Sequence, residues 1–183
     1  MFSRNAQRYT VAPIDTSKTK GIAGSCRYSI TRKEAYKIKY IAYGSNMVEE
    51  QMAYRCPDAR LIGSGYIEDA QLEFYLHATI AHSKTKGARV PVAVWEISKT
   101  DEQRLDLYEG FPNYYIKKRI PVRMSDGTEI KGMIYLMKFI RNEPPTAGYY
   151  NGIVDAYIKL GLGSKIKTVL EPALQRSMKR RQR

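Results

Sequence analysis

Two short stretches bring together residue types that can do chemistry. In Tyr40-Ile41-Ala42-Tyr43-Gly44-Ser45-Asn46-Met47 an apolar run meets a glycine and two small polar residues. Glycine admits backbone torsions that other residues avoid, so Gly44 can turn a strand sharply into a helix N-terminus. The first helical N–H groups and the side chains of Ser45 and Asn46 can then converge on an anion such as a carboxylate. The same residues also suit an ordinary strand-to-helix connection with Asn46 as the N-cap. In Asp106-Leu107-Tyr108-Glu109-Gly110-Phe111 a glutamate stands between two aromatics beside a glycine. At a helix C-terminus the dipole and an apolar setting both oppose ionisation. A carboxyl tuned toward neutral pH can exchange protons. A solvated glutamate at a helix end is the plainer reading of that residue.

Other chemistries find less support. His77 and His82 are five residues apart, an odd spacing that puts them on opposite faces of a strand. Cys26 and Cys56 are too few for a disulfide scaffold or a four-cysteine zinc site. Cys56 stands before Pro57 without a catalytic signature and reads as structural. There is no GxSxG elbow, no P-loop and no GxGxxG turn. Neither a metal nor an organic cofactor is expected. Fifteen tyrosines against one tryptophan suit a polar site lined by phenols.

The elements that must position these residues follow from periodicity. Ile38–Tyr43 is a short β-branched and aromatic run, expected as a buried strand. Asn46 and Glu49 have capping-box spacing, so a helix is expected over 47–55, ended by Cys56-Pro57. Strands are expected at Leu61–Ile67, Leu72–Ile80 and Pro91–Ile97. Thr100 is expected to start a second helix, with Asp101 and Glu102 in its first turn, Leu105, Leu107 and Tyr108 on its apolar face, and Gly110 just past its end. Strands at about 115–123 and 129–138 are joined by Ser125-Asp126-Gly127-Thr128 as a hairpin turn. Residues 147–161 read as a last helix, with Ile153, Ala156, Tyr157 and Leu160 on one stripe. This order lacks the βαβ alternation of a doubly wound sheet. It points to an α+β domain with a mixed, mostly antiparallel and barrel-like sheet flanked by helices.

Charge divides the chain of 183 residues into three. Residues 1–39 hold nine Lys/Arg against two acids, a balance of +7; residues 175–183 contribute +5; the middle is +1. The expected organisation is a basic N-terminal arm at 1–37, a domain at 38–174 and a basic C-terminal tail at 175–183. The basic ends can solubilise the protein as disordered tails, the favoured reading, or form a footprint for nucleic acid or an anionic membrane. No apolar run of about 18 residues exists to span a bilayer, and no apolar stretch follows Met1 as in a secretory signal. The low cysteine count fits a reducing compartment.

Taken together, the motifs resemble the γ-glutamylcyclotransferase-like family. Tyr40–Met47 looks like its glycine loop, and Leu105–Gly110 is similar to the segment that carries its catalytic glutamate. Arg55-Cys56-Pro57-Asp58-Ala59-Arg60-Leu61, Ala78-Thr79-Ile80, Val90–Glu96, Ile134-Tyr135-Leu136, Pro144–Tyr149 and Gly161-Leu162 follow the family in order. The Tyr-Gly-Ser-Asn wording resembles the γ-glutamylcyclotransferase branch more than the γ-glutamylamine or glutathione-specific branches. The basic ends and the loop Ser83–Arg89 fall outside the match.

The resemblance implies a small α+β barrel with a cavity at the glycine loop, and a cytoplasmic enzyme of glutathione metabolism. The reaction would be an acyl transfer of the lyase or cyclotransferase class. A small-molecule γ-glutamyl amide cyclises to 5-oxoproline and releases an amine or amino acid. It implies Tyr40, Ile41, Ala42, Tyr43, Gly44, Ser45 and Asn46 as the loop that holds the substrate, Glu109 as general acid/base, and Tyr135 and Tyr149 as cavity-lining hydroxyls. Two alternatives stand beside it. One is a non-catalytic module binding a γ-glutamyl group or a small anion, and the other is a nucleic-acid- or membrane-associated protein using the basic ends.

Overall fold

Apolar alternation folds seven segments of the described chain into strands. The structure, a computed structural model, describes residues 37–182. Apart from Lys37, the basic arm therefore lies outside the described residues. Strand β1 (Ile38–Ala42) leads through a single 3-10 turn (Ser45–Met47) into helix α1 (Glu49–Arg55). Strands β2 (Arg60–Glu68), β3 (Ala70–Tyr75), β4 (His77–His82) and β5 (Arg89–Ile97) precede helix α2 (Lys99–Glu109). Strands β6 (Tyr115–Met124) and β7 (Glu129–Met137) come next, then helices α3 (Ala147–Lys159) and α4 (Glu171–Arg181). Five strands close a barrel in the order β1-β5-β2-β6-β7, while β3 and β4 form a separate two-stranded hairpin. All described pairings are antiparallel except β1 with β7, which run parallel at Tyr40 and Met133. The α+β barrel with flanking helices expected from sequence is the fold observed.

Strand β5 pairs with both β1 and β2, and Val90 through Trp95 are buried on both faces, as a near-continuous apolar run requires. Strand β1 crosses the barrel core through Ile41, which is fully buried. A Cβ on Gly132 would lie 2.5 Å from Ile41 Cδ1, so only glycine lets β7 approach β1 this closely.

Four expectations change. The run Leu72–Ile80 is a hairpin rather than one strand, because Leu76 takes a left-handed conformation (φ 67°) and its N–H bonds to Glu143 O at 2.6 Å. Helix α2 starts one residue early, capped by a reciprocal box between Ser98 and Asp101. On that helix Leu105 is buried, but Leu107 and Tyr108 are 84% and 53% exposed, so its apolar face is narrower than expected. Residues 175–181, expected as tail, are the C-terminal part of α4. Ala173 and Ser177 are the buried residues of this helix, and Arg176 and Arg180 both pair with Glu73 on β3 at 2.6 and 2.8 Å. Two of the five tail charges therefore neutralise a buried carboxylate instead of entering solvent.

Candidate active site

The β1–α1 junction forms one wall of a cavity of about 460 Å³. Its lining includes Tyr40, Tyr43, Gly44, Ser45 and Asn46 from the junction, Glu109 from the end of α2, and Tyr135 and Tyr149 from β7 and α3. Eight of the ten residues expected at the site thus meet here. Ile41 and Ala42 do not: both are buried in the barrel core, and Ile41 packs toward Gly132.

Gly44 earns its place by close approach, not by an unusual φ. Its φ is −122°, but a Cβ would stand 2.9 Å from the Tyr149 hydroxyl and 3.3 Å from Ala78 Cβ. Asn46 is not a helix cap, since Val48 is the N-cap of α1 and no side chain caps it. The Asn46 amide instead donates to the Tyr40 hydroxyl at 2.7 Å and to Glu109 Oε1 at 2.9 Å. Its backbone carbonyl accepts from Trp95 Nε1 at 3.1 Å. This buried asparagine ties β1, β5 and α2 together at one point.

Helix α2 delivers Glu109. Leu105 anchors the helix in the core, and Lys117 on β6 reaches Glu102 and Asp106, one turn apart, at 2.6 Å each. The Tyr135 hydroxyl donates to Asp106, while Tyr43 donates to the Tyr135 carbonyl at 2.6 Å. Gly110 ends the helix in the left-handed conformation (φ 63°), as expected. Burial pushes the Glu109 carboxyl up to about 7, against the opposing pull of Asn46 and the Arg55 charge. Burial also raises Tyr40, Tyr43, Tyr115 and Tyr135, and takes Tyr149 up to about 12. These phenols stay protonated. Tyr40 accepts from Asn46, and Tyr149 accepts from the Ala78 N–H at 3.1 Å, so both phenolic protons remain available for a ligand.

Arg55, His77, Tyr108 and Tyr115 also line the cavity and were not assigned to the site from sequence. Arg55 had a detectable signal, because it falls one helical turn after Gln51 on a helix that begins at the glycine loop. Arg55 donates to Ser45 Oγ at 3.2 Å and to Asn46 Oδ1, and its guanidinium lies 3.8 Å over the Tyr108 ring. His77, 5.2 Å from the Tyr149 ring, is shifted toward the neutral form by burial.

A carboxyl raised to about 7 among protonated phenols in a cavity can exchange protons with a bound ligand. Residues 40–152 match the family described as gamma-glutamyl cyclotransferase, AIG2-like, and the chain belongs to that family. A human gamma-glutamylcyclotransferase is 28% identical over 139 residues, 70% of this chain and 74% of its own length. A mouse gamma-glutamylcyclotransferase is 30% identical over 128 residues, 64% and 68% of the two chains. A solved structure described as a gamma-glutamyl cyclotransferase superposes with a TM-score of 0.66 at 27% identity, covering 73% of this chain and 88% of that one. Family membership supports cyclotransferase activity of the γ-glutamylcyclotransferase kind.

Proposed function

We propose that this protein cyclises the γ-glutamyl group of a small γ-glutamyl amide to 5-oxoproline and releases an amine or amino acid, with Glu109 as general acid/base. One observation carries the proposal: Glu109, its carboxyl raised to about 7 by burial, is hydrogen-bonded to Asn46 and lines the same small-ligand-sized cavity as the Gly44–Asn46 turn.

The substrate's α-amine attacks its own γ-carbonyl carbon. The C–N bond of the five-membered ring forms, and the bond to the leaving amine breaks. The nucleophile is already tethered, so holding the bent conformation is most of the task. Well-oriented intramolecular reactions reach effective molarities on the order of 10⁵–10⁸ M. The backbone of the turn and the phenolic protons of Tyr40 and Tyr149 supply donors for the α-carboxylate and for negative charge that develops on the carbonyl oxygen. Glu109 as carboxylate takes one proton of the α-ammonium before attack and returns it to the departing nitrogen, and the second proton shed by the ring nitrogen passes by way of the same carboxylate to the released amine, which leaves as its ammonium.

The test is mass spectrometry for 5-oxoproline after incubating the full chain with γ-glutamyl amino acids, γ-glutamyl amines and glutathione. Release from at least one substrate supports the reading, and no 5-oxoproline from any of them overturns it.

A further inference from the structure

Asn46 stands between a group that can only donate and a group that exchanges a proton. An arginine has no acceptor, so the Asn46 oxygen must face Arg55 and its NH2 must face Tyr40 and Glu109. Reversed, the amide would set its NH2 against the guanidinium and its oxygen against the Glu109 carboxylate. The stack on Tyr108 and the bond to Ser45 Oγ hold the guanidinium in place. In the observed sense Glu109 Oε1 accepts from Asn46 at 2.9 Å whether the acid is charged or neutral. Among the described residues no hydrogen bond is made to Oε2.

We propose that Arg55 is a positioning residue that fixes the amide sense of Asn46 and so makes Oε2 the oxygen through which Glu109 takes and returns its proton. The inference rests on the cyclotransferase reading for its kinetic consequences, but the orientation stands on geometry alone. Tyr40, Tyr43, Tyr115 and Tyr149 also face Glu109 and are all shifted toward the protonated form; His77, on the cavity wall, is shifted toward the neutral form. Arg55 is therefore the one fixed positive charge lining the cavity among the described residues. Its removal both frees the amide and raises the Glu109 titration.

The experiment compares wild type with Arg55→Met, Arg55→Lys, Asn46→Ala and the Arg55→Met/Asn46→Ala pair, each first checked by thermal melt. The first readout is independent of activity: carboxyl carbon NMR of Glu109 and the side-chain amide resonances of Asn46. Arg55→Met should move the Glu109 midpoint above its wild-type value and shift the Asn46 amide signals, and Arg55→Lys should restore both in part. The second readout is the pH-independent kcat for 5-oxoproline release. Arg55→Met should lower it by about 10²-fold, as misplacement of a catalytic group does, with KM little changed. In the Asn46→Ala background the same substitution should cost much less, because its target is gone.

Unmoved NMR signals in folded Arg55→Met would overturn the proposal, as would fully additive kcat losses. So would a raised KM at wild-type kcat, which would make Arg55 a substrate-binding residue instead. Shifted NMR signals in a protein that makes no 5-oxoproline would retain the orientation and reject the cyclotransferase reading alone.

Discussion

Glu109 and Glu73 are both glutamates taken largely out of water, and the structure treats them in opposite ways. Glu73 on β3 is 3% exposed and meets two guanidinium groups from α4, with Gln71 donating a third bond at 3.0 Å. Arg176 and Arg180 also donate to the carbonyls of Leu72 and Phe74. Opposite charges and hydrogen bonds there offset the cost of burial and hold the side chain in one place. Glu109 is given one neutral donor, Asn46, and a cation that is already committed to Asn46 and Ser45. Its burial is left largely uncompensated, and its carboxyl rises to about 7. The same residue type is glue where its charge is matched, and where it is not its carboxyl is raised into the range in which the proposed proton exchange can occur.

The largest expected effect comes from breaking the Glu109 side of this contrast. Glu109→Gln keeps the shape and the bond from Asn46 but cannot carry a proton. Turnover should fall by about 10²–10⁴-fold while ligand binding persists; near-normal 5-oxoproline release would remove Glu109 from the mechanism.

Breaking the Glu73 side should cost stability instead. Truncation after Leu174 removes Arg176 and Arg180 and strands a buried carboxylate, a loss of about 3–5 kcal/mol. Activity per folded molecule should survive. A truncated chain that melts within about 2 °C of the full one would show that the two ion pairs are not holding α4.

Stability against pH sharpens the comparison further. The folded Glu109 titrates at about 7, above the unfolded value of about 4.3. Between those values the folded state holds the extra proton, so its contribution favours folding at low pH and fades as pH rises through 7. Glu109→Gln should erase this slope and melt higher than wild type at pH 8, by the equivalent of about 4 kcal/mol. Equal melts at pH 8 would mean that burial of Glu109 carries no penalty.

A smaller effect is expected at the turn. Gly44→Val places a branched side chain against the Tyr149 hydroxyl and Ala78 and should cost about 1–3 kcal/mol of stability as well as weakening substrate binding. Calorimetry with a non-hydrolysable γ-glutamyl ligand checks it; unchanged affinity would move the binding surface away from the turn.

What the sequence made legible follows the same division. Local signals were strong where the backbone itself carries them. Gly110 ends α2, the Ser125–Thr128 turn joins β6 to β7, and the β1 run leads into the site as expected. Contacts between distant residues were not legible. Asn46 looks like an N-cap because its spacing to Glu49 is right, yet it is drawn to Tyr40 and Glu109, 6 and 63 residues away. Leu76 gives no turn signal by type, since leucine rarely adopts positive φ. Arg176 and Arg180 read as tail because nothing local reveals that Glu73, more than 100 residues earlier, needs two cations. Ile41 and Ala42 entered the expected site with the motif, although both are buried in the core, Ile41 against Gly132.

The pH profile of kcat/KM for 5-oxoproline release tests most directly whether Glu109 is the acid–base group. It reports the ionisations of the free enzyme and substrate. If Glu109 is the proton carrier, activity rises with pH through a midpoint at about 7, and that limb disappears from the residual activity of Glu109→Gln. A limb that stays at the same midpoint in Glu109→Gln, or a wild-type midpoint near the ordinary carboxylate value of about 4.3, would contradict the account.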